Sequence, residues 1–503
     1  MLRPTDKLAL DTKNYTLPIA LDYSFGWQSS LNHPTDELVL DFDGNVDVGY
    51  SQDDWEGISG NGFMVGSDTF DMTIRLQDDK TLYVGTPLGA PRAAFALLDY
   101  VNEGKTDSVN LKVLGGNIVT HYKGSYTSED GLAVFGAWTN LNGMIAPGTM
   151  TINVDSISST LAEDFYCSTH TVGTELSHGN LFLSANSFKL GTETTRFDYG
   201  ANLGYESQAV YTVGDSFDWY VKRDGALVQG ASALTLTGSG SVNVYIAGQE
   251  NNTAGIWLTD NSTADTGTDG LGALKLAGGS YGLIAQRGGS FDMSGGSLNV
   301  IDSDCGLYLD ASNGKFNFDT IILDSFTSGM YVKGSEAVLN GNNIQLTGKT
   351  TVRSLDAGNV KITANNLLDV NGSTYALLAE DADSSLSVDA AQVMLDITSS
   401  NGYVAYAKGA EVSITASVSS TVTGGAYGLY ASNGGSVVLN GQGVHSVSSG
   451  KYVLYANGMN SRIESGDNFG GCHEFCVLRD NSRPRRALPT RQHAKQDPTQ
   501  TYS

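Results

Sequence analysis

Between Ala254 and Asp467 the sequence states one short pattern nine times, and a fixed short period constrains a fold more than any other feature of a chain. The clearest copy is Tyr427-Gly-Leu-Tyr-Ala-Ser-Asn-Gly-Gly-Ser-Val-Val-Leu-Asn440. Others begin at Ala254, Tyr281, Cys305, Ser328, Tyr375, Tyr403 and Tyr452, with a degenerate copy at Thr351. Successive starts are 27, 24, 23, 23, 24, 28, 24 and 25 residues apart. A unit this small cannot bury its apolar face alone, so the copies must stack into a solenoid.

Each unit holds three short strand-like runs separated by turn residues. In the copy at Tyr281 they are 281–285, 290–293 and 297–300, with Arg287-Gly-Gly289 and Ser294-Gly-Gly296 between them. Glycine supplies positive φ at such corners without steric cost. The second run alternates apolar and polar residues, its apolar pairs being Phe291/Met293, Phe316/Phe318, Ala337/Leu339, Val360/Ile362, Leu386/Val388, Val412/Ile414 and Val437/Leu439. Period two means one buried and one wet face. Return segments rich in Ser, Thr, Asn and Gly make poor helices, which excludes helical solenoids and leucine-rich repeats. The expected fold is all-β, a parallel β-helix with about 24 residues per coil, each strand pairing with its equivalent one coil away.

The first run is apolar throughout, so its phase needs a separate argument. A narrow interior suits stacked aliphatics, and tyrosine keeps a wet hydroxyl. Leu283, Leu307, Met330, Leu377, Leu429 and Leu454 are therefore expected inside. Tyr308, Tyr331, Tyr406, Tyr430 and Tyr455, with Trp257 at the start, are expected outside as one aromatic row. Counted from Thr351, the degenerate copy places Arg353 at an inner position, against this phase.

Regular repeats cover 254–469. Residues 91–253 carry looser echoes at Phe95, Leu132 and Gln208, expected to be coils with longer loops, and 1–90 are β-rich without visible period. Residues 470–503 break sharply, with six basic residues, three acidic ones and three prolines between Gly471 and Ser503. That tail suits disorder, and its abrupt start inside a coil suits a shifted reading frame.

The formal net charge of −25, from 29 basic and 54 acidic residues, argues against nucleic acid and anionic lipid as partners. No apolar stretch reaches membrane-spanning length, so insertion by this chain is not expected. Four cysteines make no disulfide framework, and Cys167 and Cys305 should be unpaired if both lie in the solenoid. No continuous apolar leader follows Met1, because Asp11, Lys13 and Asn14 interrupt it.

The unit from Tyr427 to Gly441 resembles the repeats of autotransporter passenger domains, the exported part of Gram-negative type V secretion proteins. The resemblance implies a right-handed β-helix at the cell surface, in the outer membrane or outside the cell, often serving adhesion. It also implies a signal peptide and a membrane β-barrel, neither of which is written in this chain. The expected protein is thus an adhesin-like passenger whose partner is a host or bacterial surface glycan or protein. Exposed strand edges at the β-helix ends would favour self-association.

Some β-helices cleave polysaccharides, which is the alternative reading. A pectinase-like hydrolase needs Asn-Thr-Asp, an Asp-Asp pair and Gly-His-Gly in order; only Asp53-Asp54 and Asp78-Asp79 occur, so no catalytic residue and no enzyme are expected. Asp41-Phe-Asp-Gly-Asn-Val-Asp47 spaces carboxylates like a calcium loop but lacks the distal glutamate. Cys472-His-Glu-Phe-Cys476 has no second pair to close a zinc site. No metal or cofactor is therefore expected. His178 and His445 are read as turn or surface residues, and the aromatic row is left as the candidate binding face.

Overall fold

The computed structural model describes residues 8–10, 15–17, 37–42, 44–48, 61–66, 71–84, 93–98, 110–126, 131–138, 148–247, 252–465 and 476–479. They form parallel strands and no helix, stacked as a β-solenoid whose turns recur about every 26 residues. Three ladders run its length. The second-strand ladder climbs from Leu8–Leu10 through Glu37–Phe42, Asp71–Leu76 and Asn110–Leu114 to Thr149 and beyond. The third starts at Tyr15–Leu17 and passes through Val46–Val48, Thr81–Val84 and Asn117–Tyr122. The first passes through Asn61–Gly66, Ala93–Leu98, Leu132–Trp138 and Thr171–Ser177. The N-terminal region without visible period thus already winds in the same three ladders.

In the regular part the three runs join into long extended segments such as Asn313–Lys333. All seven alternating pairs of the second run point inward and are buried, from Phe291/Met293 to Val437/Leu439. Leu283, Leu307, Met330, Leu377 and Leu429 are buried as expected, with Leu454 partly so. Nearer the N-terminus the interior is aromatic. Phe63, Phe95 and Phe135 stack face to face at 5.6 Å, and Phe188, Phe217, Tyr211 and Trp219 continue the column.

One corner is held by a ladder of buried serines. Ser207 N–H donates to Ser232 Oγ at 3.1 Å, Ser232 N–H to Ser262 Oγ at 3.2 Å, and Ser312 N–H to Ser335 Oγ at 3.0 Å. Two of these hydroxyls also donate to carbonyls, Ser232 to Gln229 at 2.7 Å and Ser335 to Lys333 at 2.6 Å. The corner backbone groups that cannot join a ladder are satisfied this way. Gly288, at this corner, takes φ +83.

Three sequence readings change. The degenerate copy begins at Thr350, because Thr350 pairs with Tyr375 and Val352 with Leu377. Val352 is then the inner residue and Arg353 points outward, so the arginine supports the phase it had contradicted. Gln208 belongs to the second ladder, pairing with Ala233 and Asn180, and is no echo of the first run. The true first-run copies there are Tyr199-Gly-Ala-Asn-Leu203 and Asp224-Gly-Ala-Leu-Val228. His445 is fully buried in the third ladder, opposite Ser420, and not on the surface. His178 does sit in a turn, at φ 57.

Cys167 and Cys305 are free thiols, the latter buried. In the tail, which the sequence reading left without structure, Cys476–Arg479 adds a parallel strand beside Leu454–Asn457. The rest of that tail, including Cys472, His473 and Glu474, lies outside the described residues, as do Asp53, Asp54 and Asp43.

Candidate binding surface

The first strand departs from simple alternation at its second residue. In Tyr427–Ser432, Gly428 and Leu429 are both buried, while Tyr427 and Tyr430 both face outward. The ladder pairing skips that residue, passing from Tyr427↔Tyr452 to Leu429↔Leu454 at constant register, as it does in neighbouring coils. Parity is thereby reset, and positions one and four of each unit, which alternation would send to opposite faces, share one face. A glycine suits the second position, because a Cβ on Gly255 would meet the Gly282 carbonyl at 2.5 Å, and one on Gly282 the Gly306 carbonyl at 2.7 Å.

The reset doubles the aromatic row. The predicted position-four column runs Trp257, Ile284, Tyr308, Tyr331, Arg353, Leu378, Tyr406, Tyr430, Tyr455 in register. Beside it runs a position-one column holding Tyr281, Tyr375, Tyr403, Tyr427 and Tyr452, which the sequence reading used only to mark where units begin. The recurring Tyr-x-x-Tyr was the available signal. Strict period two hid its meaning.

At the C-terminal end the two columns merge into one patch of seven half-buried tyrosines. Tyr403 and Tyr427 stack at 4.6 Å and 4°, Tyr375 and Tyr403 at 5.4 Å, and Tyr427 and Tyr452 at 5.5 Å. Tyr430 and Tyr455 stack at 5.2 Å and 9°, and Tyr406 meets Tyr430 edge-on at 4.6 Å. Cross-contacts Tyr403–Tyr406 and Tyr452–Tyr455, at 5.1 and 4.8 Å, tie the columns together. Tyr406 Oη lies 3.0 Å from Ser432 Oγ.

A second, smaller group lies nearer the N-terminus. Tyr308 and Tyr331 are parallel at 5.0 Å, with Tyr281 edge-on to Tyr308. The two groups are separated by buried Leu378 and by an ion cluster. Arg353 lies 5.5 Å over the Tyr331 ring and 2.7 Å from Glu380, which Lys408 approaches at 3.4 Å from the other side. Trp257 is cut off from Tyr308 by buried Ile284, and its Nε1 is buried without a hydrogen-bond partner. The six-residue row is therefore real in direction but broken in two places and widened in a third.

Burial, chiefly, followed by the neighbouring tyrosines, pushes Tyr403 up to about 12. Burial and then Asp310 do the same for Tyr308, to about 12. Tyr281, Tyr375, Tyr406, Tyr427 and Tyr430 shift upward as well, again first through burial. These phenols stay protonated and neutral near neutral pH. Because the faces of stacked rings cover one another, the strip offers ring edges and hydroxyls rather than open faces.

Other candidates do not converge. Asp78 and Asp79 form an exposed turn, with Asp79 held 2.6 Å from Lys80. Asp41 pairs with Arg75 at 3.7 Å, one coil on. Among the described residues no three His, Cys, Asp or Glu side chains gather as a metal site. No protein-family model, curated protein or solved structure matches this chain.

Proposed function

We propose that this chain is a non-enzymatic binding rod of the adhesin type, displayed on or released from a bacterial surface, which holds its ligand along the tyrosine strip. The observation carrying this reading is the seven-ring patch between Tyr375 and Tyr455, on one face of consecutive coils. Its phenols repeat along the axis at ring separations of 4.6–5.5 Å. A neutral pyranose polymer has hydroxyls that recur on a similar scale and can meet the phenol hydroxyls and ring edges, and it carries no charge to be repelled by a chain of net −25. Each ring would contribute a weak contact, and the contacts would add along the rod as avidity.

The test uses immobilised polysaccharides: a neutral β-linked glucan, a neutral mannan and a uronic-acid polymer. Native chain should bind one of the neutral polymers and not the polyanion. The variant Tyr406→Ser/Tyr430→Ser/Tyr455→Ser should lose roughly tenfold or more in affinity while keeping its β-sheet circular dichroism, since sugar contacts of about 1 kcal/mol each are removed together. A native chain that binds none of the three, or a triple variant that binds equally well, defeats the proposal.

A further inference from the structure

We propose that the tyrosine strip is a site of oxidative cross-linking, where a two-electron oxidant joins tyrosines of successive coils as dityrosine, first of all Tyr403 to Tyr427. The geometry is independent of what the strip binds. Tyr403 and Tyr427 are register partners 24 residues apart in sequence, yet their rings lie 4.6 Å apart at 4°. Holding two reactants in contact makes their coupling effectively unimolecular. The pair also sits at the centre of the patch. Tyr375 and Tyr452 stack on its two ends, and Tyr406, Tyr430 and Tyr455 flank it, so a ring oxidised anywhere in the patch has a neighbour within about one ring contact.

The chemistry balances with hydrogen peroxide acting through a haem peroxidase. Each phenol gives up one electron and one proton, leaving a phenoxyl radical. The ortho carbons of two radicals form a carbon–carbon bond, and each ring regains aromaticity by moving its ortho hydrogen to oxygen. The peroxide accepts the two electrons and two protons and leaves as two waters.

The molecule supplies its own comparison pair. Tyr220 and Tyr245 also stack one coil apart, at 4.8 Å and 17°, but on the third ladder. Arg196 lies 5.8 Å over Tyr220 and Lys275 lies 5.6 Å over Tyr245. A cation over a ring stabilises its electrons and opposes their removal. Tyr331 carries the same handicap under Arg353. Among the described residues no cation lies over Tyr403 or Tyr427, so contact is equal but oxidation favours the patch.

The full chain, dilute and folded, is treated with a haem peroxidase and limiting hydrogen peroxide, then digested and mapped by mass spectrometry for peptide pairs lacking two hydrogens. The Tyr403–Tyr427 pair should be the most abundant within-chain product, several-fold above Tyr220–Tyr245, and should vanish in urea. Tyr427→Phe, with unchanged circular dichroism, should lose that product and lower total dityrosine fluorescence, whereas Tyr220→Phe should change neither. The proposal is overturned if Tyr220–Tyr245 forms as readily, if no within-chain dityrosine appears, or if coupling runs mainly between chains through the exposed Tyr166 and Tyr205.

Discussion

Asp224 stands one coil beyond Tyr199 in the position-one column and accepts the Ala254 N–H at 2.8 Å. It is only 2% exposed, and burial, partly offset by that hydrogen bond and by Arg223, raises its carboxyl from 3.8 to about 6. The folded chain thus retains a proton that the unfolded chain has released, and stability is lost as pH rises from about 4 to about 6. Asp224→Asn keeps the acceptor and removes the charge. Thermal melting should show it roughly 2 kcal/mol more stable than the native chain near pH 7 and equal near pH 4. An offset that ignores pH would contradict this. Single residues were also where sequence reading was weakest. Nothing in the pattern announced that Asp224 opens a coil, because its unit carries alanine where later units carry leucine.

The strands divide into those a sequence can disclose and those it cannot. The second ladder was legible throughout the repeats because strict alternation survives in it, as Val360/Ile362 and Val412/Ile414 show. The first ladder was legible in spacing but not in facing, since the skip at its second residue conceals that Tyr427 and Tyr430 share a side. Gly282 occupies that second position, and a methyl there would meet both the Gly306 carbonyl at 2.7 Å and the Val300 side chain. Gly282→Ala should cost about 2 kcal/mol in denaturant unfolding. The same change at exposed Gly434 (φ +84) meets only the Met459 carbonyl at 3.8 Å and strains the backbone alone. Equal losses at both sites would contradict the close-packing argument.

The third ladder carries an internal weakness near its C-terminal end. Its inner column runs Ile321, Ile344, Leu368 and Val393, then Ser420 and His445. Ser420 Oγ lies 2.8 Å from His445 Nδ1, while His445 Nε2 is buried without a partner. Replacing both polar groups by apolar ones removes that desolvation cost. Ser420→Val/His445→Leu should therefore raise the unfolding midpoint, by about 1–2 kcal/mol in stability. Ser420→Val alone, which strips the histidine of its remaining partner, should lower it.

At the scale of the whole molecule, the solenoid could be read from nine recurrences, but its N-terminal coils only as loose echoes such as those at Phe95 and Leu132. Their interior is filled by Phe63, Phe95, Phe135 and Phe188 where the later coils use leucine and isoleucine, and their turns differ in length, so no fixed pattern repeats. The tyrosine strip was half legible: six residues of its outward row were named, and the column that joins three of them into a patch was not. What unites fold and function here is that surface neighbours lie about one coil apart in sequence.

Hydroxyl-radical footprinting of the chain with and without a neutral polysaccharide of the class proposed as its ligand tests that claim most directly. Protection should fall on Tyr375, Tyr403, Tyr427 and Tyr452, and on Tyr406, Tyr430 and Tyr455 between them, recurring once per coil and sparing Phe182, Tyr166 and Tyr205. Protection confined to one continuous stretch of sequence, or spread over those three exposed aromatics, would contradict the account.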